Sequence, residues 1–156
     1  MYCVRLWASR HASLLHTVYQ IWERCLRLFD PLLRRIGHER LDPAFSATEK
    51  VVKGFLFDSK SCGQCVLGET GLACPMNCPK TLRNGPCGGV REGGYCEVDP
   101  TMKRVWVMAW EGSRKLGERG KAIQVVQLPV DASLKGSSAW LRALRRRQAE
   151  RADHDV

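Results

Sequence analysis

The sequence of 156 residues lacks the segments that would place it in a membrane or direct it to secretion. No apolar run approaches the roughly 18 residues that a membrane span requires. The first 22 residues are basic and contain no acid, but no signal-peptide core runs through them. That stretch is interrupted by Arg5, Arg10, His11 and His16. We therefore expect a reduced, cytoplasmic setting, with an organelle transit peptide as the alternative that this composition also allows.

Motifs that would make the chain a self-sufficient enzyme are also missing. The sequence has no glycine-rich dinucleotide fingerprint, no internal repeat and no paired acids suited to acid–base chemistry. Its net charge of +9 is spread along the chain, which is typical of a solvated surface. The more specific hypothesis is a weak attraction to nucleic acid or to an acidic partner. The one dense basic patch consists of Arg142, Arg145, Arg146 and Arg147.

Cysteine, by contrast, is abundant: the chain has eight, and six fall in one stretch. The six are Cys62, Cys65, Cys74, Cys78, Cys87 and Cys96. Such a cluster is either a disulfide framework or a metal site. In a reduced compartment the metal site is favoured, so we predict that ligands are drawn from these six. Cys3 and Cys25 lie apart in the N-terminal region and are not expected to bind metal.

The spacing of the cluster suits tetrahedral zinc or an iron–sulfur centre. Cys62-x2-Cys65 and Cys74-x3-Cys78 can each turn two sulfurs toward one metal, and four thiolates satisfy either centre. The stretch is rich in glycine and poor in large apolar residues, whereas ordering its backbone costs roughly 1–2 kcal/mol per residue. A bound metal contributes on the order of 10 kcal/mol. The surplus of cysteines and glycines favours one four-iron cluster, with zinc and an all-disulfide core as alternatives.

The N-terminal region predicts an amphipathic helix over residues 6–36, because its apolar residues recur every three or four positions. Pro31 should stop or kink this helix, and Gly37 should end it. Trp7, Trp22 and Phe29 are aromatic anchors of the kind that a partner-docking helix uses, although an ordinary core helix explains the pattern as well.

A linker over 41–43 and a second helix are predicted next. Ser46-Ala47-Thr48-Glu49 has the form of a capping box, which would start a helix that runs to about Phe57.

After the cysteines, the β-branched and aromatic run Val105–Trp110 predicts a strand that could pair with Ile123–Leu128 as a hairpin. Ser137 or Ser138 should cap a basic C-terminal helix. The expected fold class is α+β: a small irregular metal-stapled core with an N-terminal helix, a hairpin and a C-terminal helix. The predicted division is a helical arm over 1–45, a cysteine-rich metal-binding domain over 46–130, and a basic helix and tail over 131–156.

Three strings within the cluster resemble a known family. They are Cys62-Gly-Gln-Cys65, Leu72-Ala-Cys74-Pro-Met-Asn-Cys78-Pro-Lys80 and Asn84-Gly-Pro-Cys87-Gly-Gly89. Together they resemble the C-terminal domain of methylenetetrahydrofolate reductase, which also occurs as a small partner subunit of that enzyme. The resemblance runs from about Glu49 to Trp110.

The resemblance implies an accessory module with a zinc or iron–sulfur centre in one-carbon metabolism. It would act beside a flavin-type barrel that reduces methylenetetrahydrofolate. That barrel needs about 200 residues or more, so the expected partner is a separate barrel subunit. Two other functions compete: a zinc-stabilised, basic nucleic-acid-binding module, and a thiol redox protein that uses Cys62 and Cys65.

Overall fold

The computed structural model describes residues 2–85 and 87–154. Over these residues the chain folds into five α-helices and one two-stranded antiparallel hairpin, which confirms the predicted α+β class. The helices are α1 (Tyr2–Arg10), α2 (Ala12–Ile36), α3 (His38–Phe57), α4 (Val105–Arg114) and α5 (Ala139–His154). The strands are β1 (Val90–Arg91) and β2 (Tyr95–Cys96).

The predicted helix over 6–36 is two helices that meet at His11. The His11 ring Nδ1 donates to the Trp7 carbonyl at 2.9 Å, and the ring stacks on the Trp7 indole. Pro31, predicted to stop or kink the helix, does not stop it, since α2 continues to Ile36. Asp30, next to the proline, accepts hydrogen bonds from Arg34 and Gln148, and these contacts hold the helix on both sides of it. Gly37 ends α2 as predicted, with a φ of 95°.

The predicted linker over 41–43 is wrong, because α3 runs through it. Leu41 and Phe45 pack against the buried residues of α5, and this packing favours helix across Pro43. The capping box is wrong for the same reason: Ser46 lies inside α3, where its hydroxyl donates to the Pro43 carbonyl. The helix ends at Phe57, as predicted.

The predicted strand over Val105–Trp110 is wrong; these residues form α4. Its buried positions, Val105, Met108, Ala109 and Gly112, are three or four residues apart, which is the period of a helix buried on one side. The predicted partner strand is also absent, because Ile123 closes a 3₁₀ segment over Gly117–Gln124. The observed hairpin lies inside the cysteine-rich stretch instead, where Val90 pairs with Cys96.

Ser138 caps α5, which confirms the predicted start of the C-terminal helix. Its hydroxyl accepts from the Leu141 amide at 3.3 Å and donates to the Glu49 carboxylate at 2.9 Å. The cap therefore also ties α5 to α3. The predicted three-part division stays a prediction; residues 155–156 of its last part and Pro86 of the cysteine-rich stretch lie outside the described residues.

Buried side chains form three clusters, and two of them include residues of the cysteine-rich stretch. The first joins α1, α3 and the stretch through Ala8, Phe57, Leu67 and Leu72. The second packs α4 on Ala73 and Cys78, and the third packs α5 on Leu26 of α2. The helices thus supply most of the apolar core around a stretch that has little of its own.

Candidate metal centre

The loop that carries the first cysteines is fixed at both ends by hydrogen bonds. Asn77 Nδ2 donates to the carbonyl of Phe57, the last residue of α3, at 3.0 Å. Between these ends, the buried Thr70 hydroxyl contacts the carbonyls of Val66 and Ala73 at 2.9 and 2.7 Å. These contacts hold residues 58–78 as a loop without α-helix or strand, with one short 3₁₀ segment at Pro75–Asn77.

Three of the six predicted ligands border the same cavity. Cys62, Cys65 and Cys74 line one cavity of about 250 Å³, which also borders Glu49 and Lys50 in the middle of α3. Cys74 is buried, and the other two are half-buried. The three cysteines thus border the same cavity, which we name the thiol cavity.

The Cys74 sulfur is the most enclosed of the three. Burial raises the pKa of the Cys74 thiol, while the backbone amides of Lys60 and Met76 donate to the sulfur and oppose that rise. Amides directed at a sulfur stabilise its thiolate, the form that binds metals.

A buried ammonium group lies next to Cys65, outside the lining of the thiol cavity. Lys53, only 3 % exposed, contacts the Cys65 sulfur and donates to Glu49. Its Nζ lies 4.8 Å from the centre of the Trp140 ring. Burial lowers the pKa of Lys53, but Cys65 and Glu49 outweigh burial and hold it above its ordinary value. Sequence reasoning missed Lys53 and Glu49, because their partners Cys65 and Ser138 are far away in the chain.

Arg83 is a cationic residue in the wall of the thiol cavity. Its Nε and Nη2 donate to the carbonyls of Leu128 and Gln64 at 2.8 and 3.1 Å. Its Nη1 is buried and has no hydrogen-bond partner among the described residues. A donor left unpaired at such a place fits an anionic group in the cavity.

Backbone strain is concentrated beside the same cysteines. Ser61, directly before Cys62, has a φ of 48°, and the buried Leu72 near Cys74 has a φ of 63°. Left-handed conformations of such residues cost of the order of 1–3 kcal/mol and occur most often at functional sites.

The other three predicted ligands lie outside the thiol cavity. Cys78 is buried in the apolar cluster of α4, beside Val105 and Met108. Cys96 is buried on β2, and Cys87 is half-buried. The pKa of the Lys80 ammonium is raised chiefly by its hydrogen bond to Glu97. Electrostatic interaction with Cys87 and Cys96 also raises it.

The donor chemistry of the thiol cavity fits a thiophilic metal, but its spacing is not that of a coordination sphere. Among the described residues, no three His, Cys, Asp or Glu side chains are grouped closely enough to hold a metal ion. All eight cysteines are free thiols, and no disulfide joins them. What the structure provides is three cysteines on one cavity, with two backbone amides directed at the Cys74 sulfur and the Lys53 ammonium at the Cys65 sulfur.

Comparisons with known proteins place this chain in a family. Residues 38–133, more than half of the chain, match the family model described as methylene-tetrahydrofolate reductase C terminal. No curated protein and no solved structure matches. None of the described helices is both long and apolar enough to cross a membrane. The matched span contains α3, all six clustered cysteines and α4, and the resemblance in the sequence is thereby confirmed. The chain belongs to the methylenetetrahydrofolate reductase C-terminal family.

Proposed function

We propose that this chain is a metal-carrying accessory module that works beside a barrel-type methylenetetrahydrofolate reductase. The observation that carries the proposal is that Cys62, Cys65 and Cys74 line one cavity together with Arg83, while Lys53 contacts the Cys65 sulfur from outside the cavity lining. Thiolates bound to a metal carry net negative charge, and two cations with directed amides offset such charge. Membership of the reductase family supplies the context.

Cys62, Cys65 and Cys74 would provide three ligands, and the fourth would come from Cys78, Cys87 or Cys96. A four-iron cluster is favoured by the surplus of cysteines, and zinc is the alternative. A cluster would supply one-electron transfer, whereas zinc with four sulfur ligands would supply stability alone. The thiols have to be reduced for either, which is consistent with the predicted cytoplasmic setting.

The reductase chemistry itself has to lie on polypeptide outside this sequence. A flavin-type barrel needs eight parallel strands. Residues 2–85 and 87–154 contain only one two-stranded antiparallel hairpin. The chain would therefore contribute a docking surface and its metal, and it would not be catalytic alone.

The contacts of the basic residues near the cysteines do not favour the nucleic-acid alternative. Lys80 pairs with Glu97, and Arg91 donates to the Glu97 carbonyl. Arg83 donates to two backbone carbonyls. A nucleic-acid interface instead keeps such side chains available for phosphates.

Co-expression with the barrel subunit of a methylenetetrahydrofolate reductase from the same organism tests the accessory role. We expect the two chains to co-elute from a sizing column as one complex, because an accessory module has to dock stably to act. An unrelated eight-stranded barrel enzyme serves as the control and should elute separately. Separate elution of the reductase subunit as well, at about 10 μM of each chain, would contradict the accessory role.

A further inference from the structure

Helix α2 presents apolar side chains that the other residues described by the structure leave exposed. Seven large side chains along it are between 46 and 79 % exposed: Leu14, Val18, Ile21, Leu28, Phe29, Leu32 and Ile36. We call these seven residues the outer face of α2. Contiguous apolar surface of this extent is typical of interaction sites.

The outer face is distinct from the side of α2 that packs on the protein. The packed side uses Leu15, Tyr19, Leu26 and Leu33, which contact the buried clusters of the body. Trp22, at the border, lies 5.2 Å from Trp140 of α5. Folding is thus served by one stripe of the helix, and the second stripe has no role in the described fold.

The spacing of the outer face matches a helix–helix seam. Leu14, Val18, Ile21, Cys25, Leu28 and Leu32 follow one another at alternating steps of four and three residues. This 3.5-residue repeat is the pattern that packs against a second helix, knobs into holes. The seam spans about 27 Å at 1.5 Å per residue.

The charges beside the seam indicate which kind of helix covers it. Arg24 flanks the seam one helical turn from both Ile21 and Leu28, and Arg35, seven residues after Leu28, lies at the C-terminal end of the seam itself; both are exposed. The acidic residues of α2, Glu23 and Asp30, are turned toward the body instead. Glu23 pairs with Arg147 at 3.3 Å, and Asp30 accepts from Arg34 and Gln148.

We infer that the outer face of α2 docks an amphipathic helix that carries acidic residues beside its apolar stripe. A second copy of this chain has no acidic side chain of α2 turned outward to pair with Arg24 and Arg35, which disfavours self-association through this face. A barrel reductase carries a ring of helices on its outside, so such a helix is available there. The inference rests on the proposed function for this choice of partner, but the docking chemistry itself does not depend on a metal.

Two designed peptides of about four heptads test the inference on the full-length chain. Both have leucine at the seam positions; one has glutamate and the other lysine at the flanking positions. We expect the glutamate peptide to bind at least about tenfold more tightly than the lysine peptide in fluorescence anisotropy, with the preference reduced at high salt. Equal binding of the two peptides, or binding of neither, would overturn the inference.

Variants locate the binding on the helix. Leu28→Glu, at a side chain 79 % exposed, should lower the affinity for the glutamate peptide by at least about tenfold without unfolding the protein. Val126→Glu, 81 % exposed and outside α2, is the matched control and should change nothing. The double variant Arg24→Glu with Arg35→Glu should reverse the preference toward the lysine peptide. An unaffected affinity in Leu28→Glu, or a dimer of the wild-type chain that Leu28→Glu dissolves, would remove the proposed partner.

Failure of this test is distinguishable from failure of the proposed function. The peptides contain neither a reductase nor a metal, so a negative result removes the outer face as the docking site and leaves the metal proposal to its own measurement. Co-elution with the reductase that survives Leu28→Glu would move the docking surface elsewhere on the chain.

Discussion

Replacing Cys62 with serine should strip the metal from the protein and unfold its middle third. Loss of one thiolate ligand removes a contribution on the order of 10 kcal/mol, more than most small domains have in reserve. The structure makes this a sharp test, because without a metal the change should be mild. The Cys62 thiol is half-buried, and its Sγ contacts the Gln64 carbonyl at 3.6 Å, a bond that a serine hydroxyl can also make.

Metal content by plasma mass spectrometry and unfolding by circular dichroism are the measurements for this variant. Cys25→Ser is the control, since Cys25 is half-buried on α2 and away from the thiol cavity. It should keep the metal and lose less than about 1 kcal/mol. A Cys62→Ser protein with full metal content and unchanged stability would exclude Cys62 from the ligand set.

Replacing Cys78 with serine tests whether Cys78 is the fourth metal ligand. Cys78 lies in the apolar cluster of α4, so Cys78→Ser places a hydroxyl among Val105 and Met108 whether or not it binds metal. Metal content therefore has to be read separately from stability. Loss of metal would place Cys78 in the ligand set, and retention would leave Cys87 and Cys96 as the remaining candidates.

Replacing Glu49 with alanine should lower the free energy of unfolding by about 3–5 kcal/mol. The change leaves the Lys53 ammonium buried without its carboxylate partner. It also removes the acceptor of the Ser138 hydroxyl and of the Trp140 amide, at 2.9 and 3.3 Å, so that the start of α5 loses its tie to α3. Chemical denaturation followed by tryptophan fluorescence measures the effect.

Lys50→Ala is the matched control, because Lys50 is an exposed neighbour on the same helix and its loss should cost less than about 0.5 kcal/mol. The double variant Glu49→Leu with Lys53→Met should recover much of the stability, since neither buried charge remains. If Glu49→Ala lowered the free energy of unfolding by less than about 1 kcal/mol, the Glu49–Lys53 ion pair would not stabilise the fold.

The sequence was most informative where the evidence was local. The ends of α2 and α3 at Gly37 and Phe57 and the Ser138 cap follow from short patterns, and the structure confirms them. The six clustered cysteines and their family resemblance were equally visible. In each case the decisive residues are neighbours in the chain.

Predictions failed where distant contacts overrode local preference. Val105–Trp110 has the composition of a strand, yet burial against Ala73 and Cys78 favours a helix with buried positions every three or four residues. Glu49 fits a capping box locally, but its carboxylate contacts Ser138, which lies 89 residues further along the chain. No pattern within a short window contains that partner.

The cysteine-rich stretch has few large apolar residues of its own, but it shares a core with two helices. Leu67 and Leu72 are almost fully buried, and they pack with Ala8 and Phe57 from two helices. These contacts stabilise part of the stretch without any metal. The thiol cavity, with its strained neighbours Ser61 and Leu72 and the unpaired Arg83 donor, is therefore stronger support for a metal than the composition.

Anaerobic purification, followed by metal analysis and an ultraviolet–visible spectrum, tests the central claim most directly. We expect a brown protein with about four irons per chain and broad visible absorption, as for one four-iron cluster. A colourless protein with one zinc would keep the metal centre and make it structural. Protein that contains neither iron nor zinc under these conditions would contradict the claim that this chain carries a metal.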